Sequence, residues 1–133
     1  MGTLRDIETV RAARLSGRNV GLVMVKNVGP EIGYVYYIAV AKENRRSGMA
    51  MFLLDDAITR FQKAGVKEVF ASAETDNTPS EKLFESAGFT RTNFGEVSKR
   101  HGTLHTLELY RKMLVVPGEA LFRKELTSGS TIQ

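Results

Sequence analysis

The chain has 133 residues, 42% of them hydrophobic, no cysteine, two histidines and a formal net charge of +4. This length supports one domain, expected over residues 1–126 with a frayed tail at 127–133, and the lack of Cys excludes a disulfide framework, a thiolate metal site and a cysteine nucleophile. No apolar run approaches the roughly 18 residues of a membrane span, the start lacks a signal-like segment, and no basic strip interleaves with aromatics, so a cytoplasmic protein without membrane, nucleic-acid or metal partners is expected.

In chain order, the spacing of Ile7, Val10, Ala13 and Leu15 predicts a first helix over Leu4 to Ser16, stopped by Gly17. Asn19 to Lys26 and Tyr34 to Val40 read as a hairpin about the Gly29-Pro30 and Gly33 turn signals. A helix follows from about Ser47 to Lys63, with Ala50, Leu53, Leu54, Ala57, Ile58 and Phe61 on one face and Gly65 as its stop. Val66 to Ala73 is a strand, so strand, helix and strand form a right-handed crossover with parallel strands. Thr78-Pro79-Ser80-Glu81 has the form of a capping box, with Thr78 as N-cap of a short helix ending at Gly88. Phe89 to Val97 and Thr103 to Met113 read as an antiparallel pair, and Pro117 to Leu126 as a small tail helix.

The segment Arg45-Arg46-Ser47-Gly48-Met49-Ala50 follows an apolar strand and opens a helix. Backbone N–H groups, the positive end of the helix dipole and two guanidinium groups then converge, which suits a pyrophosphate. It is neither a P-loop nor a Gly-x-Gly-x-x-Gly fingerprint, so nucleotide hydrolysis and hydride transfer lose ground.

Combined with Asn77-x-x-Ser80-x-x-Leu83-Phe84-x-x-x-Gly88-Phe89 about 30 residues later, Arg45-x-x-Gly48-x-Ala50 resembles the signature of the Gcn5-related N-acetyltransferase family, over about Asn19 to Met113. The resemblance implies an α/β fold of α+β type: a mixed, mostly antiparallel twisted sheet, a parallel central pair splayed to bind acyl-CoA, and helices on both faces. It further implies acetyl-CoA as donor, an amine of unknown identity as acceptor and direct transfer in a ternary complex. Carried over by position, the backbone of Ile38, Ala39 and Val40 pairs with the pantetheine arm. Arg45, Arg46, Ser47, Gly48, Met49, Ala50 and Met51 hold the pyrophosphate. Asn77 bonds the pantetheine or serves as an Asx cap, and Phe84 packs in the core or against the thioester.

The chain departs from the family where the chemistry lies. Phe84 stands where many members carry a Tyr acid, Ser72 where some carry a Glu base, and Tyr34 near the position of another base. Glu74, on the face of Ser72, and Tyr36, on the face of Tyr34, are the replacement candidates, with His105 on a late strand as a remoter one. These losses leave a catalytically silent acyl-CoA-binding module as the alternative. The short stretch before Asn19 implies an acceptor side left open or completed by a second copy, with Leu114-Val115-Val116 and Leu121-Phe122 as a homodimer interface or as tail packing on the core.

Overall fold

The computed structural model describes residues 8–74, 77–115 and 117–126. β1 (Glu8–Leu15), β2 (Arg18–Gly29) and β3 (Ile32–Val40) form an antiparallel meander. A 3-10 turn at Lys42–Asn44 leads into α1 (Met49–Lys63), and the chain returns as β4 (Glu68–Glu74), parallel to β3. Then come α2 (Thr78–Ser86), β5 (Thr90–Thr92), α3 (Phe94–His101), α4 (Thr103–Met113) and β6 (Glu119–Glu125). The sheet order is β1-β2-β3-β4-β6-β5, with β6 inserted antiparallel between β4 and β5. A mixed, mostly antiparallel sheet with one parallel pair and helices on both faces is the fold class the sequence implies.

Each face buries its own cluster. On one, Leu53, Leu54, Ala57 and Phe61 of α1 and Phe84 of α2 pack on Val23, Val35, Val69, Ala71 and Phe122. Gly33 is what lets α1 come so close, since a Cβ there would meet the Phe61 ring at 2.6 Å. On the other face, Val97 of α3 and Leu109 and Met113 of α4 pack on Val28, Ile32, Tyr34, Phe70 and Leu121. Fully buried side chains such as Phe70, Phe122, Leu54 and Leu109 each contribute about 1.5–3 kcal/mol. Glu68, at 7% exposure, is held by Arg123 of β6 and by His101 of α3 at 2.8 Å, tying the second face together where a lone buried carboxylate would be costly.

Three expected elements differ. The helix over Leu4 to Ser16 is instead β1 across its described residues, and Leu4 to Ile7 lie outside them. Gly17 is no helix stop: Ser16 and Gly17, both at positive φ (51° and 80°), join the paired residues Leu15 and Arg18 as a two-residue hairpin turn. β1 is an edge strand that buries little, Ala13 being buried while Val10 and Leu15 are exposed, so its apolar spacing was a weak guide. The late antiparallel pair is the short β5 followed by two helices. Asn93 caps α3 by accepting from the Glu96 N–H at 2.9 Å. Thr106, Leu109 and Met113 carry α4's buried face at helical spacing, whereas Leu104 and Leu107 are exposed. Finally, the tail helix over Pro117 to Leu126 is the strand β6, whose good helix formers are overruled by the open edges of β4 and β5. Leu121 and Phe122, read as a possible interface, are therefore core residues. The expected frayed tail, Thr127 to Gln133, lies outside the described residues.

Candidate functional site

The parallel ladder between β3 and β4 runs from Ile32, opposite Glu68, to Val35, opposite Ala71, and ends there. Beyond it the strands follow different partners. Ile38, Ala39 and Val40 stay paired with Val23, Leu22 and Gly21 of β2, while Ser72, Ala73 and Glu74 stay paired with Leu121, Ala120 and Glu119 of β6. The sheet thus forks in its middle. A β-bulge falls at Tyr36, where the register with β2 passes from Val35 opposite Val25 to Tyr37 opposite Met24. Bulges bend and twist a strand, which accounts for the divergence beginning at this residue.

The fork's β3 side presents backbone. Ala41 donates its N–H to Val20 O at 2.7 Å, so Ala41 faces β2, and by alternation the amides of Val40 and Ile38 face the gap. Arg45 Nε donates to Val40 O at 3.2 Å and braces the strand end. Ser47 Oγ donates to Asn44 O, closing the turn into α1.

At that turn the helix starts later than the sequence suggests, at Met49, with Gly48 as N-cap in the left-handed region at φ 83°. A hydrogen side chain is what that conformation favours, and it gives the helix no capping group. The first helical bond is Phe52 N–H to Gly48 O at 2.9 Å, so the N–H groups of Met49, Ala50 and Met51 open outward. The sign of φ alternates over Arg46, Ser47 and Gly48, the kind of backbone that aims successive N–H groups into one concavity. Arg45, Arg46, Ser47 and Gly48 are all exposed, and a Cβ built on Gly48 meets nothing within 4 Å. The space an anion would need is open. These residues fit the two phosphates of a coenzyme A arm.

Asn77, not Thr78, is the N-cap of α2: its Oδ1 accepts from Ser80 N–H at 3.3 Å. The cap reading of Asn77 therefore holds, and its Nδ2 donors are what it could offer a ligand. Phe84 is buried at 4% exposure, with the Phe89 and Phe122 rings 5.5 and 5.3 Å away, which is its core reading.

The chemistry-bearing side chains lie on the α3–α4 face. Tyr34 Oη and Ser72 Oγ are 2.6 Å apart, so the two positions at which the chain departs from its expected bases touch each other. Burial is the main cause that pushes the Tyr34 phenol above its ordinary value. The Ser72 hydrogen bond opposes this and the Glu119 charge adds to it. Tyr36 stacks on Tyr34 at 5.9 Å and lies under Lys26 Nζ, 5.6 Å from its ring centre. Glu74 is exposed at the end of β4, directly across from half-buried Glu119 on β6. His105, expected on a strand, is exposed on α4 beside His101. Glu119 and the aromatic residues Phe94 and Tyr110 near it went unseen in the sequence, because the late elements were misassigned. The helical spacing of Thr106, Leu109, Tyr110 and Met113 was the signal that could have found them.

Among the described residues, no group of three or more His, Asp or Glu is placed to hold a metal ion. No described helix is long and apolar enough to cross a membrane.

A family model described as the acetyltransferase (GNAT) family matches residues 4–89. A mycothiol acetyltransferase from Pseudarthrobacter chlorophenolicus is 39% identical over 62 residues, 47% of this chain and 19% of that protein. The matched part thus spans about a fifth of that relative's length. The PaiA N-acetyltransferase from Thermoplasma acidophilum, in complex with coenzyme A, superposes with a TM-score of 0.70 at 12% identity, covering 91% of this chain and 62% of that one. A Bacillus subtilis acetyltransferase in complex with CoA gives 0.69 at 16% identity, covering 90% and 78%. At such identities the structural likeness is one of fold, and the sequence match carries the assignment: the chain belongs to the acetyltransferase (GNAT) family.

Proposed function

We propose that this protein transfers an acetyl group from acetyl-CoA to a primary amine, by direct attack of the amine while both substrates are bound. The observation that carries the reading is the fork. A gap with outward-facing strand amides leads from the end of the β3–β4 ladder to an uncapped, arginine-flanked helix start. Family membership and the coenzyme A bound in two structural neighbours support the same donor.

Bound there, acetyl-CoA supplies an activated carbonyl and a leaving thiolate. The chain's residues do the rest. Met49, Ala50 and Met51 N–H groups with Arg45 and Arg46 hold the phosphates, the charged contacts being the stronger ones. Within the segment Ile38, Ala39 and Val40, the backbone of Ile38 and Val40 faces the gap as the edge that the pantetheine lies along, while that of Ala39 faces β2. Asn77 donates from Nδ2 to an amide carbonyl of that arm. Phe84, with Phe89 and Phe122, closes the floor beneath the fork.

An alkylammonium of pKa about 10.4 costs on the order of 4–5 kcal/mol to deprotonate at neutral pH, so the amine needs a proton acceptor more than the thiolate, of pKa about 8.5, needs a donor. Glu74, at the mouth of the fork, takes that proton directly or through water. Tyr36 and the Tyr34–Ser72 pair line the same face, and burial keeps the Tyr34 phenol protonated, which suits it to donate rather than to accept.

Release of free CoA thiol from acetyl-CoA on addition of a panel of primary amines and peptides is the test. Release with at least one acceptor supports the reading. Tight CoA binding without turnover on any of them overturns it in favour of a silent acyl-CoA-binding module.

A further inference from the structure

The α3–α4 hairpin covers the sheet face on which the fork's side chains lie, and it also encloses space. A cavity of about 540 Å³ opens between the helices and the start of β6. That volume falls within the roughly 300–1,000 Å³ of small-molecule sites. Its walls are of two kinds. Phe94 and Tyr110 meet edge to face with centroids 5.0 Å apart, and Val115 and Leu121 extend the apolar lining. Glu119 is the acid among the described lining residues, whereas the guanidinium of Arg91, another lining residue, is 3.8 Å from Glu81 of α2.

The position of Glu119 links this cavity to the fork. It stands directly across from Glu74, in a pair of strands that neighbour at about 4.8 Å, and on the face shared by Ser72 and Tyr34. Its charge is felt at the Tyr34 phenol. A molecule lying in the cavity with a cationic head on Glu119 therefore has that head one strand from the gap in which the β3–β4 ladder ends. Aromatic faces beside the carboxylate favour a cation as well. A second positive charge further in would find no further acid among the described lining residues, so polycations fit poorly.

We propose that this cavity is the acceptor site and selects a primary amine with an aromatic or branched apolar arm, its ammonium on Glu119 and its arm against Phe94 and Tyr110. The assignment rests on the acetyl-transfer reading above. In the reaction the ammonium loses one proton to a carboxylate of the Glu74–Glu119 pair. The freed nitrogen lone pair forms the C–N bond, and the C–S bond breaks with its electrons on sulfur. Sulfur then takes the second nitrogen proton, leaving an amide, a thiol and one proton for water.

The experiment measures two things on the full chain: phenethylamine binding by saturation-transfer NMR and CoA binding by calorimetry. Thiol release is followed alongside with phenethylamine, a Phe-initiated tetrapeptide, ethanolamine and spermidine. Phenethylamine or the peptide, whichever source the site accepts, is expected to be used about tenfold or more better than ethanolamine and spermidine. Glu119→Gln and Phe94→Ala should each weaken phenethylamine about tenfold while CoA affinity is kept, and Phe94→Leu should recover part of the loss. Equal use of ethanolamine or spermidine, or unchanged phenethylamine affinity in both variants, overturns the proposal even if acetyl transfer stands. Glu119-dependent phenethylamine binding without any CoA binding keeps the cavity assignment and removes the acetyl-transfer reading instead.

Discussion

The Tyr34 phenol and the Ser72 hydroxyl, 2.6 Å apart across the last rungs of the parallel ladder, occupy the places where the family resemblance leads one to expect bases. Their bond is a neutral one under a buried ring, so replacing Tyr34 by Phe is expected to cost about 0.5–1.5 kcal/mol in denaturant unfolding. The pH dependence has a definite sign. Because burial raises the Tyr34 and Tyr110 pKa values above 10.0, folded and unfolded chains hold these protons alike at neutral pH. Above pH 10 the unfolded chain releases them first, so stability falls as pH rises through the folded values. Alkaline unfolding followed by phenolate absorbance checks this, and Tyr34→Phe should flatten the decline. For the reaction, Glu74→Gln is expected to lower turnover about a hundredfold while calorimetry shows CoA binding unchanged. Equal turnover would remove Glu74 from the chemistry.

Among the elements, α1 owes its seat to Gly33, and Gly33→Ala forces the Phe61 ring aside, at an expected cost of about 1–3 kcal/mol in unfolding free energy. Truncating Leu109, fully buried on α4, to Ala should cost about 2–5 kcal/mol and tests whether the α3–α4 hairpin is an integral layer. These two helices also mark what the sequence concealed. Elements built on strong local signals were legible: α1 with its apolar stripe, β3 with its continuous apolar run, and α2 with its Thr-Pro start, although its cap is Asn77 and not Thr78. Elements decided by what lies beside them were not. β6 has a helix former's composition and is a strand because two open edges receive it, and β1 becomes one by pairing with β2 through a tight turn at Ser16-Gly17. The elements of the proposed donor half, β3 and α1, were therefore readable. The elements of the proposed acceptor half, β6 and α3–α4, required the fold.

On the scale of the molecule, the two faces of the forked sheet carry different groups. The α1 face ends in the anion cradle at Gly48, while the opposite face, under α3 and α4, carries Tyr34, Ser72, Glu74 and Glu119. The gap past Val35 and Ala71 joins them, which is the path by which a donor held as proposed would present its acyl group to the other face. The central claim is that the cradle and fork hold the donor, and calorimetric titration of CoA into the protein and into Gly48→Glu tests it most directly. Saturable binding to the parent chain is expected, with loss of at least about 3 kcal/mol of binding free energy in the variant, whose carboxylate opposes the phosphates in the space now open beside Gly48. Equal affinity in the two, with the variant folded, would contradict the account.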